Sequence, residues 1–105
     1  MSTHSQRLRQ RLEDRSARIG IIGLGYVGLP LAVAFGKTGF SVLGVDVDRE
    51  RVARLKAGES PVEDVGSDDL ATLVAAGRLS ITTETGTLTT ADAIIICVPT
   101  PLGKS

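Results

Sequence analysis

Gly23, Gly25 and Gly28 stand in the order G-x-G-x-x-G within GLGYVG, between the apolar run IGII and a longer stretch of helical spacing. Each glycine suits a different task. Gly23 permits a tight turn, Gly25 lets backbone approach a pyrophosphate with no Cβ in the way, and Gly28 lets a helix pack closely on a strand. The unpaired amides around Tyr26 and Val27 would then point at an anion, helped by the positive end of the helix dipole, and Leu24 in the same turn counts among the candidate cofactor-binding residues. Alone, the pattern also fits a strand-to-helix corner with no ligand. Its context selects the phosphate: a strand enters, a helix leaves, and an acidic residue, Asp46, closes the next apolar run about 20 residues on.

Asp46 also chooses between dinucleotides. A carboxylate at the end of the second strand accepts hydrogen bonds from both ribose hydroxyls and repels a 2′-phosphate, which predicts NAD and not NADP. Arg49 and Arg51 follow on the next helix, and arginine is what NADP sites use. Neither adjoins Asp46 directly, so Arg49 reads as solvated and Arg51 as either an adenosine-side contact or solvated.

The last apolar run, AIIICV, ends in Val98, Pro99, Thr100 and Pro101. Two prolines around Thr100 give a stiff, extended exit at the edge where open α/β sheets bind ligands. Thr100 and the backbone near Val98 are therefore candidate cofactor contacts, unless the prolines merely end the strand. Cys97 reads as core packing, since a strand buried on both faces would raise its thiol pKa and block access. His4, the single histidine, has no acid or nucleophile pattern beside it, and no metal-ligand spacing occurs.

The elements that must position these residues follow from periodicity. IGII, stopped by Gly23, reads as a strand buried on both faces. Val27, Leu31, Ala34 and Phe35 mark the buried stripe of a helix ending near Gly36 and Gly39, and SVLGVDV is the second strand. Asp48 caps a helix from Arg49 to about Ala57, and Ser67 caps another over DDLATLVAAG. A short strand RLSIT, a polar connection TETGTLTTAD and the strand AIIICV complete the order. This alternation predicts an α/β fold: a doubly wound parallel sheet, the first half of a Rossmann dinucleotide-binding domain over residues 18–105. Residues 1–17 read as a basic extension, disordered or helical, with Leu8 and Leu12 among arginines.

Composition sets the outer bounds. The 105 residues, 42% hydrophobic, make one small domain. Lysine plus arginine and aspartate plus glutamate each total 12, with one Tyr and two Phe, which argues against nucleic-acid partners. One cysteine, no secretory apolar run and no stretch near the roughly 18 residues of a membrane span point to a cytoplasmic setting without membrane contact.

Taken together, GLGYVGLPLA, the D-x-D-x-x-R of Asp46 to Arg51, ESPVED and IIICVPTPL resemble the N-terminal region of the UDP-glucose/UDP-N-acetylhexosamine 6-dehydrogenase family, across Arg18 to Lys104. The resemblance implies oxidation of a UDP-sugar C6 hydroxyl to a carboxylate with two NAD, in a full-length homodimer. It makes Tyr26 and Val27 pyrophosphate donors, Asp46 the ribose acceptor and Arg51 an adenosine-side contact. It lays Val98, Pro99 and Thr100 along the nucleotide. Val62 to Val65 stands where UDP-glucose enzymes usually carry Glu-Pro-Gly-Leu, which leans toward the N-acetylhexosamine branch. The family's nucleophilic cysteine, its partner lysine and its substrate domain are expected beyond position 105, leaving this chain with no catalytic residue of its own. Two rivals share the half-fold: a hydroxyacid or 6-phosphogluconate type of dehydrogenase, and a non-catalytic nucleotide sensor.

Overall fold

A computed structural model describes residues 4–14, 16–61 and 65–97. In chain order the elements are α1 (His4–Glu13), β1 (Arg18–Ile22), α2 (Gly28–Lys37), β2 (Ser41–Val45), α3 (Arg49–Lys56), α4 (Ser67–Ala75), β3 (Leu79–Thr82), a 3₁₀ turn (Thr85–Thr90) and β4 (Ala93–Ile96). The strands lie in the order β3-β2-β1-β4, and every pairing is parallel. From β1 the chain steps one way through β2 to β3, then returns to the other side of β1 for β4. The order reverses between β1 and β4, and in open α/β sheets the ligand crevice opens at the carboxyl ends of such a strand pair.

One sheet face is covered by α2, α3 and α4. Ile19 and Ile21 of β1, Val42 of β2, and Leu79 and Ile81 of β3 pack there with Leu29, Ala32, Val52, Leu55, Leu70 and Leu73. The other face carries Ile22, Leu43 and Val45, covered by Leu88 of the 3₁₀ turn. Toward β4 that cover runs out among the described residues, and Ile94 and Ile96 are 48% and 64% exposed. The strands read as unbroken apolar runs because both faces are apolar, although the described helices cover only one. Cys97 accordingly sits half-buried just past β4, packed against the core on one side, and not in the doubly buried strand its neighbours suggest.

Three further expectations change in the fold. The buried stripe of α2 is Gly28, Leu29, Ala32, Val33 and Gly36, whereas Val27 and Ala34 are exposed and Leu31 and Phe35 half-buried. The stripe is fixed by its two ends, Gly28 set against the Gly23 carbonyl and Gly36 set against Leu73, with Leu29, Ala32 and Val33 between them, so bulk alone misplaces it. Gly36 lies inside the helix, where an added Cβ would come within 3.0 Å of a Leu73 methyl. Its role is to admit α4, and the chain turns at Gly39. Ser67 is the first residue of α4 and not its cap; Gly66 takes the cap position, and Ser67 Oγ accepts the Ser60 amide at 3.1 Å.

The N-terminal extension is helical over His4–Glu13. It is tied to the sheet at Asp92, whose Oδ1 accepts from Arg11 at 2.6 Å while its Oδ2 accepts the Arg18 amide at 2.7 Å. Val62, Glu63, Asp64, Val98, Pro99 and Thr100 lie outside the described residues.

Candidate functional site

The corner after β1 is built from backbone. Gly23 continues the sheet ladder by donating to the Val45 carbonyl at 2.8 Å, then turns with φ +93, a conformation open to glycine. A Cβ at Gly23 would lie 2.0 Å from the Cys97 carbonyl oxygen, so β4 closes tightly over the turn. A Cβ at Gly28 would lie 1.6 Å from the Gly23 oxygen, which brings the first turn of α2 against the strand end. Gly25 differs: nothing lies within 4 Å of where its Cβ would be. The space in front of Gly25 is open.

The Leu29 amide donates to the Gly25 carbonyl at 3.1 Å, so the helical bonding begins at Gly25. The amides of Tyr26, Val27 and Gly28 therefore belong to the first turn, which has no helix carbonyl ahead of it. Their side chains do not cover it, with Tyr26 86% and Val27 68% exposed. Of the three helices on the covered face, α3 starts with a capping Asp48 and Glu50, and α4 has Asp68 and Asp69 in its first turn. Helix α2 has neither a side-chain cap nor an acid there. Its positive end is left to an external anion.

Asp46 stands just past β2, with its side chain only 6% exposed. Its Oδ2 accepts the Leu24 amide at 2.8 Å and its Oδ1 the Asp48 amide at 2.9 Å. The Arg51 guanidinium donates to Oδ2 at 3.1 Å. Burial is the largest influence on the carboxyl and pushes its pKa up. The Leu24 and Asp48 amides and the Arg51 guanidinium together outweigh it and hold the group below its ordinary value. Asp46 is thus a carboxylate, and one carboxylate clamps the glycine corner to the start of α3.

Asp48 caps α3 by accepting the Arg51 amide at 3.0 Å, as its position before the apolar stripe predicts. That places Arg51 in the first turn, where helical side chains lean back toward the N-terminus. Its guanidinium lands on Asp46 for that reason. Leu24 is fully buried and stacks over Gly44, where an added Cβ would come within 3.0 Å of its methyl. With its amide given to Asp46, Leu24 braces the carboxylate and does not face the open space.

The structure therefore gathers Gly23, Leu24, Gly25, Tyr26, Val27, Gly28, Asp46 and Arg51 at the carboxyl edge of β1 and β2. Residue types had not shown the Leu24 to Asp46 bond or the Asp46–Arg51 ion pair. The D-x-D-x-x-R spacing carried the second: a cap at Asp48 fixes Arg51 one turn from the strand end. Among the described residues no three His, Cys, Asp or Glu side chains group as a metal site, and no helix is long and apolar enough to cross a membrane.

An open parallel sheet whose order reverses at a glycine corner, with an uncapped helix start on one side and a strand-end carboxylate on the other, defines a dinucleotide-binding domain of the Rossmann type. The chain belongs to the UDP-glucose/GDP-mannose dehydrogenase family: residues 17–105 match the model of that family's NAD binding domain. It is 47% identical over 85 residues to a UDP-N-acetyl-D-mannosamine dehydrogenase of Methanococcus maripaludis, covering 80% of this chain and 19% of that protein. A UDP-glucose 6-dehydrogenase of Haloferax volcanii is 37% identical over 83 residues, covering 79% and 19%. Among solved structures, a ternary complex of GDP-mannose dehydrogenase from Pseudomonas aeruginosa superposes with a TM-score of 0.75 at 38% identity, covering 80% of this chain and 20% of that one. The chain thus spans about a fifth of the length of these relatives.

NAD fits the residues present. The open space at Gly25 admits a pyrophosphate against the start of α2, and Asp46 is ionised, as a ribose acceptor must be.

Proposed function

We propose that this chain forms the NAD site of a nucleotide-sugar 6-dehydrogenase that oxidises the C6 hydroxyl of a UDP-sugar to a carboxylate with two NAD. The observation that carries the reading is the contrast among the three glycines. Cβ atoms at Gly23 and Gly28 would strike protein, whereas one at Gly25 would enter space that the fold keeps open. NAD, when bound, supplies the hydride acceptor for each of the two oxidations. The chain's own part is binding and orientation. The amides of Tyr26 and Val27 donate to the pyrophosphate, Asp46 accepts from the adenosine ribose hydroxyls, and Leu24 holds Asp46 in place through its amide. Arg51 lies on the adenosine side, and Val98, Pro99 and Thr100 run along the nucleotide. The catalytic cysteine belongs to a later segment, not to Cys97.

For the sugar we propose an N-acetylhexosamine, on Val62–Val65 standing in place of the glucose-type run. A cytoplasmic homodimer completes the proposal, with residues 1–17 as an extension on the domain.

The test is Gly25→Ala. An added methyl meets no protein atom but stands where the pyrophosphate approaches. Calorimetric titration should show NAD binding weakened about tenfold or more, with the melting temperature within a degree or two of wild type. Unchanged NAD affinity would remove the cradle.

A further inference from the structure

Arg51 has two anchors. Its amide is held by the Asp48 cap at 3.0 Å, and its guanidinium by Asp46 Oδ2 at 3.1 Å. The second anchor is the carboxylate assigned above to the ribose hydroxyls, so one side chain serves both an internal cation and the adenosine ribose. The next arginine on the same helix, Arg54, is paired with Glu50 at 3.3 Å, in the exposed face of α3. Arg51 is thus the guanidinium that α3 turns toward the strand end. It is 38% exposed, so it reaches solvent as well as the carboxylate.

We infer that Arg51 is a latent ligand for a 2′-phosphate, silenced by Asp46, and that the two residues as a unit set the choice of NAD over NADP. The inference rests on this corner being the NAD site. Arginine is suited to a phosphate by its fixed fork of donors, and it stands within one hydrogen bond of the carboxylate that meets the 2′ position. While Asp46 is present, its charge cancels that of Arg51 and faces the 2′ oxygen with repulsion. With the carboxylate gone, the same cation is left unpaired where the phosphate would sit. Asp46 therefore acts twice, by accepting from the ribose and by occupying an arginine that would favour its competitor.

The experiment is a titration of NAD and NADP into wild type, Asp46→Ser, Arg51→Met and the double variant, each in the longest form its gene expresses, read as the ratio of the two dissociation constants. Wild type should favour NAD. Asp46→Ser should shift the ratio toward NADP by roughly tenfold to a hundredfold, the value of one or two charge-assisted hydrogen bonds, and added salt should erode the shift. The double variant should lose most of that gain. Arg51→Met alone should move the ratio further toward NAD, because Asp46 then meets the phosphate unneutralised. This variant keeps both amide bonds of Asp46, so it decides the matter even if Asp46→Ser fails to fold. A ratio indifferent to Arg51 in both backgrounds overturns the inference while leaving NAD binding intact. Wild type that binds neither dinucleotide overturns the NAD site itself, and the inference with it.

Discussion

Asp46 and Asp92 hold the two ends of the same sheet with nearly the same chemistry. Each carboxylate accepts a β1-flanking amide and an arginine: Leu24 and Arg51 at the carboxyl edge, Arg18 and Arg11 at the amino edge. Asp92 completes its bridge by donating its own amide to the Arg18 carbonyl at 2.8 Å, and Asp46 completes its by accepting the Asp48 amide. What separates them is what surrounds the carboxylate. Helices that follow parallel strands start at the carboxyl edge, so positive dipole ends collect around Asp46 and one of them, that of α2, lacks a cap. The amino edge has no such field. A carboxylate, an amide and an arginine therefore make a clasp at one end, and at the other a clasp beside the proposed pyrophosphate site.

Three further experiments break or sharpen that comparison. The largest effect belongs to Gly28→Ala, whose methyl would lie 1.6 Å from the Gly23 carbonyl oxygen, a backbone atom that cannot swing aside. Destabilisation of about 4 kcal/mol, or failure to fold, is expected in urea denaturation. A loss under about 1 kcal/mol would mean that the helix does not press on the strand end as described.

Next come the two aspartates. Asp46→Ala leaves one buried amide, one part-buried amide and a guanidinium without their acceptor and should lose about 2–4 kcal/mol, whereas Asp92→Ala strips one amide and should lose about 1–2 kcal/mol. Only the first should weaken NAD binding. Because the folded-state pKa of Asp46 is depressed, its contribution is complete above the unfolded value of about 3.9 and fades as pH falls through the folded one. The stability gap between wild type and Asp46→Ala should therefore narrow below about pH 4. A gap that stays constant there would contradict the ionised clamp.

The smallest effect is Arg11→Ala. Its ion pair to Asp92 is short at 2.6 Å, but the arginine side chain is half exposed, so about 0.5 kcal/mol is expected, shrinking with salt, and NAD affinity should not change. A loss several times larger would mean that α1 is structurally integral to the domain and not an added arm.

How far the fold could be read ahead depends on how local its causes are. The capping of α3 by Asp48 was legible because a side chain and an amide three residues apart settle it. The strands and the corner were legible because apolar runs and glycine spacing are properties of the chain itself. The phase of α2 was not, since close approach of β1 at Gly28 and of α4 at Gly36 sets it, and bulky residues elsewhere on the helix mislead. Ser67 has the type of a cap, but Ser60 sits close enough to take its hydroxyl. Cys97 reads as fully buried only if both sheet faces are covered, and coverage is not written in a strand's own residues.

In the candidate site, the sequence by itself determined the residue types and their spacing: three glycines, a carboxylate about one βαβ step on, and an arginine one helical turn after its cap. Those follow from steric and hydrogen-bonding needs that act within a few residues. The pattern also assigned the open position to Gly25; only the tertiary structure decided how tightly Gly23 and Gly28 are closed in, because that depends on Cys97 and Gly23 approaching from separate strands. It also decided that Asp46 is shared among Leu24, Asp48 and Arg51, since the partners of a buried carboxylate are whatever the packed chain brings within 3 Å or so of it.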